Sequence, residues 1–148
     1  MRKLLVGILV LVMLFCFVGC GNNVKATVIN NDGETEQRSA QELNSLSDGN
    51  SLSFKDKYVM AKVTVEGKIK EVRSSQTING IYYDWSIVVN GGSVDWLVGK
   101  HNYTNTSIDE SFLSTLNVGD NVVVSGEIVG VDAFYCNISN GDVSIEKK

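Results

Sequence analysis

Proline is absent from this 148-residue chain, where average composition would place about seven. Turns must therefore rest on glycine and asparagine, which reach positive φ at little cost. Histidine occurs once, as His101, and cysteine three times, as Cys16, Cys20 and Cys136. A zinc site would need His101 with scattered carboxylates, so no metal and no cofactor is expected. Glycine-rich phosphate cradles and the Gly-x-Ser-x-Gly elbow of serine hydrolases are also missing, so an enzyme is not expected. Nor is there an excess of positive charge: 13 Lys and Arg stand against 17 Asp and Glu. A basic nucleic-acid-binding domain is thereby excluded, since phosphate neutralisation supplies most of that affinity. Only one long apolar run exists, which excludes a multi-pass membrane protein. The length leaves room for one domain of about 100 residues with a single core.

What is present divides sharply at Cys20. Residues 1–19 hold Arg2 and Lys3, no acid, and an apolar stretch from Leu4 to Val18 broken only by Gly7. From Cys20 onward 11 basic side chains face 17 acidic ones, a net charge of −6. A short basic start, an apolar run of roughly 15 residues and a small residue before a cut make a secretory signal peptide. The run falls short of the roughly 20 residues of a spanning helix. Phe17-Val18-Gly19-Cys20 resembles the lipobox of bacterial lipoproteins, with Phe17 where that family usually carries Leu. The resemblance implies cleavage between Gly19 and Cys20 and a diacylglyceryl group on the Cys20 sulfur. Two acyl chains would hold the protein stably to a membrane, at about 0.8 kcal/mol per buried methylene. Export and a lipid anchor on the cell membrane, with the domain outside the cytoplasm, follow as expectations. Cys136 then has no partner cysteine, and its parity with Phe134 and Ile138 points to a buried core thiol.

Residues 21–38 contain no aromatic and are rich in Asn, Gly, Glu and Gln, the composition of a flexible tether. A short strand over residues 24–29 is compatible but not required. Ser39-Ala-Gln-Glu42 has capping-box spacing and predicts a helix over 40–47 with Leu43 and Leu46 on one face. The domain plan is thus a signal peptide at 1–19, a lipidated cysteine, tether and short helix at 20–50, and a folded domain at 51–148.

From residue 58 the apolar period becomes two. Val59, Ala61, Val63, Val65, Gly67 and Ile69 alternate with Met60, Lys62, Thr64, Glu66, Lys68 and Lys70, and Val72 breaks the parity, which predicts a bend or bulge near 67–71. Asn79-Gly80 signals a hairpin. A second strand follows, with Tyr83, Trp85, Ile87 and Val89 on one face and Tyr82, Asp84, Ser86 and Val88 on the other. A third runs over 93–99. Ser107-Ile-Asp-Glu110 is a second capping box, opening a short helix with Phe112, Leu113 and Leu116 as its apolar face. A fourth strand is expected over 121–131 and a fifth around 133–139, extending toward 143–145.

Three strands, a helix and two strands is the order of the OB-fold. The fold class expected is therefore all-β, a five-stranded OB-fold barrel with one short helix between strands three and four, preceded by the signal peptide and tether. Lys57–Ile69 and Leu116–Gly130, with the Ser-Ala-Gln-Glu-Leu43 lead-in, resemble the tRNA-anti-like OB-fold family, small bacterial proteins that are often lipoproteins. That resemblance implies a fold and carries no functional residue.

Four residues form the candidate ligand face: Tyr82, Asp84, Asp95 and Tyr103 of the loop after strand three. Asp84 and Asp95 could form an acidic pair across strands two and three, or stand as two solvated strand charges. Trp85 and Trp96 lie among branched apolar residues, which favours core over a stacking platform. The Tyr82, Val88 and Leu97 face could take a protein by strand addition or apolar contact. The function expected is non-enzymatic binding of an envelope protein, glycan or small ligand by a monomeric, membrane-anchored module. The alternative is a barrel that binds single-stranded nucleic acid, against which the acidic balance stands.

Overall fold

Residues 23–101, 108 and 110–148 are described in the structure, a computed structural model. β1 (Lys25–Ile29) and β2 (Thr35–Ser39) form an antiparallel hairpin. Asn30 closes it, its Oδ1 accepting from the backbone of Asp32 and Glu34 at 3.0 Å each. The segment expected as a flexible tether is thus a hairpin from residue 25, and its strand β1 pairs with β3 (Lys62–Arg73) through Val28↔Val63. Ala26 and Val28 are fully buried. Two alternating apolar side chains suffice when a neighbouring core receives them, a contribution that the composition of the segment alone does not register. The sheet therefore extends to the N-terminal side of the boundary expected at residue 51.

α1 (Ala40–Gly49) begins at Ser39, and both bonds of the capping box form: Ser39 Oγ accepts from Glu42 N, and Glu42 accepts from Ser39 N at 2.7 Å. Leu43 of this helix is buried, while Leu46 stays largely exposed. Asn50 ends α1 and caps α2 (Ser51–Tyr58) by accepting from Ser53 N. Residues 51–58 show no strong apolar period to announce α2; it is held by Phe54 and Tyr58, buried and stacked with ring centroids 5.4 Å apart.

The remaining strands are β4 (Gln76–Ile78), β5 (Ile81–Val89), β6 (Asp95–His101), β7 (Asn121–Val131) and β8 (Tyr135–Lys147), with α3 (Glu110–Leu113) between β6 and β7. The molecule is mostly β, as expected. Its described strands number eight rather than five, because the N-terminal hairpin and β4 join the sheet. The first half of β3 pairs with β7 (Lys62↔Glu127 to Lys68↔Asn121), and its second half pairs with β5 (Ile69↔Val89 to Arg73↔Ser86). A register shift between Ile69 and Glu71 marks the change, where the failed parity of Val72 predicts a bulge. β5 pairs with β6, β6 runs parallel to β8, and β8 returns to β7.

Inside this circuit lie Val63, Val65, Ile69, Trp85, Ile87, Trp96, Val98, Val124, Ile128 and Ile138. Leu113 and Leu116 join the same cluster, as do Ala40, Leu43 and Phe54 from the N-terminal helices. Cys136 is completely buried there, and burial pushes its thiol far above the usual range. Phe134, expected beside it, is instead 67 % exposed. It sits in the β7–β8 turn, where Asp132 Oδ1 accepts from the Phe134 and Tyr135 backbone at 2.8 and 2.9 Å. Among the described residues no helix is long and apolar enough to cross a membrane.

Candidate functional site

β4 continues the path of β3 along β5, but the two pairings do not meet. β3 pairs with β5 as far as Arg73↔Ser86, and β4 resumes at Gln76↔Tyr83. Ser74 and Ser75 on one side, and Asp84 and Trp85 on the other, fall in the unpaired gap between these two stretches, which share one register. On the opposite edge of β5 the pairing with β6 does shift register, from Tyr83↔His101 to Trp85↔Lys100, so Asp84 is bulged. A cleft of about 350 Å³ opens at this interruption. Trp85, Ile87 and Leu113 supply its apolar lining, and Ser74, Ser75, Ser86 and Ser114 its hydroxyls. Arg73 and Asp84 bring the charges.

These charges are held by neighbours. Asp84 lies 3.8 Å from the Lys100 ammonium. Arg73 pairs with Glu71 and donates from Nη2 to the Tyr135 hydroxyl at 3.5 Å. Ser86 Oγ accepts from Gln76 Nε2 at 3.0 Å, bridging β5 to β4. Trp85 is buried in the wall of the cleft, and its indole Nε1, like that of Trp96, has no hydrogen-bond partner among the described residues.

The bulge at Asp84 reverses the face of Tyr83. Alternation places Tyr83 with Trp85, Ile87 and Val89; instead it packs outside with Val88 and Leu97, and the partly buried Ile78 and Tyr135 pack against them. Burial pushes the Tyr83 phenol above its ordinary pKa. Val88 and Leu97 are each 1 % exposed, so the apolar face expected to be open to a protein partner is already covered. One inserted residue moves every later side chain to the other face, and the sequence Tyr83-Asp-Trp85 carries no glycine to announce it.

The four candidate residues separate. Asp84 lines the cleft, and Tyr82, 47 % exposed, lies near it on the β4–β5 hairpin. Asp95 is at the far end of the β5–β6 pair and only 7 % exposed. Its Oδ1 accepts from Gly91 N at 3.0 Å and its Oδ2 from Lys70 Nζ at 2.7 Å. Asp84 and Asp95 therefore form no acidic pair; Asp95 holds the turn before β6. Tyr103 lies outside the described residues, as do Gly19, Cys20 and the Ser107 end of the second capping box. His101 closes β6 opposite Tyr83. No sequence motif marks Ser74 and Ser75 as site residues, and Leu113 reads only as helix core, although the gap between two alternating runs at Arg73-Ser-Ser-Gln76 marks where the ladder opens.

Comparison of this chain with protein-family profiles, with curated proteins and with solved structures returned no match.

Proposed function

We propose that the chain is an exported envelope lipoprotein, cut before Cys20 and held to the membrane by a diacylglyceryl group on that residue. Its body is an OB-fold barrel, to which β1, β2, β4, α1 and α2 are additions, and it acts as a non-enzymatic binding module. The order of three strands, a helix and two strands supports the fold assignment, as does β3, which pairs on both sides.

The cleft at the interrupted β3–β5 ladder carries the binding assignment. About 350 Å³ lies within the range of small-molecule sites, roughly 300–1,000 Å³. Serine hydroxyls around a tryptophan wall suit a small hydroxyl-bearing ligand or glycan better than a protein surface. The test is a titration of envelope glycan fragments and small polyols followed by tryptophan fluorescence. A saturable change is expected in the wild-type protein, weakened at least about tenfold by Ser75→Leu, which fills the cleft from an exposed position. A ligand that binds Ser75→Leu equally well would refute the cleft as the site.

The nucleic-acid alternative draws no support from the outer face of β5 and β6. Tyr83 is buried there rather than free to stack, and Lys70, Arg73 and Lys100 are each engaged with a carboxylate.

A further inference from the structure

The start of the described chain lies against one particular face of the molecule. Asn23 Nδ2 reaches the Gln41 side chain of α1 at 3.5 Å, and a Cβ placed on Gly92 would run into Asn23 Oδ1. Val24 packs on the core. Beside Asn23 a groove of about 450 Å³ is bordered by Gln41, Ser45 and Leu46 of α1, all exposed, and by Arg38. The charges here are matched within the protein: Arg38 with Glu36, and Lys25 with Glu42 at 3.8 Å. Amides, a hydroxyl and one leucine remain to face outward.

Two residues, Gly21 and Asn22, separate Cys20 from Asn23, so three Cα–Cα steps span at most about 11 Å. We propose that this short link seats the α1 and Gly92 face on the phospholipid headgroup layer and turns the Trp85 cleft away from it. The orientation rests on the lipid anchor proposed above. Gly91 and Asp84 are seven residues apart along β5 and its following turn, roughly 20 Å at strand rise. The cleft thus opens toward the envelope space, where a ligand can reach it, while the groove at α1 meets lipid.

The test uses the full chain as processed by the expressing cell, mixed with phosphatidylcholine–phosphatidylglycerol vesicles and carrying one fluorophore on Ser45→Cys or on Ile81→Cys. Cys136 is buried and will not compete for label. A nitroxide lipid quencher in the headgroup layer should quench the label at position 45 several-fold more than that at position 81. Twelve Gly/Ser residues inserted between Asn22 and Asn23 should abolish the difference. Equal quenching without the insertion, on protein that floats with the vesicles, would overturn the orientation alone. Protein that fails to float would overturn the anchor and the orientation together.

Discussion

Glu36 shows how much one side chain can hold together at the N-terminal end. It accepts from Asn30 Nδ2 at 2.7 Å, the Tyr58 hydroxyl at 2.9 Å, the Lys57 ammonium at 3.1 Å and the Arg38 guanidinium. Burial alone would raise its pKa, but the bonds from Lys57, Arg38, Tyr58 and Asn30 outweigh it and hold the group at about 2, against an ordinary 4.5. A depressed pKa contributes stability in full above the unfolded value and loses it as pH falls through the folded one. Glu36→Gln should therefore cost about 1–3 kcal/mol at pH 7, and the difference from wild type in urea melts should vanish as pH falls from 4.5 toward 2. Gly99 offers a second test. A Cβ there would stand 2.5 Å from Tyr83 Cδ1 and 2.8 Å from the Trp85 carbonyl oxygen, whereas one at Gly130 would meet nothing within 4 Å. Gly99→Ala should thus destabilise by about 1–3 kcal/mol and Gly130→Ala far less, as read from denaturation midpoints.

At the scale of elements, local chemistry was the most legible. The Ser39 capping box forms with both of its bonds; Ser39→Ala should cost about 1 kcal/mol in a thermal or urea melt, and Thr at that position should restore most of it. Asn79 and Gly80 take φ of 49° and 80°, the double positive φ of a two-residue hairpin turn, and β7 spans the 121–131 run that its alternation marks out. Signals that depend on distant partners were not legible. The N-terminal hairpin exists because β3 offers it an edge, and α2 because Phe54 and Tyr58 find a core. The candidate site was legible only at Asp84, with Trp85 read as core, since the cleft arises from a ladder interruption that no single strand encodes.

For the whole molecule, the hairpin that begins at Lys25 stands where a tether was expected, so the lipid anchor proposed above would also set an orientation. The acidic balance of −6 beyond residue 19 belongs to a surface on which Lys70 and Arg73 of β3 and Lys100 of β6 are each paired with a carboxylate. The central claim is that this barrel is carried on a lipid at Cys20, and the intact mass of protein extracted from membranes tests it most directly. The account predicts a chain that begins at Cys20 and carries a diacylglyceryl group, with Cys20→Ala leaving the uncut, unacylated precursor. An unacylated mature chain, or processing unchanged by Cys20→Ala, would contradict it.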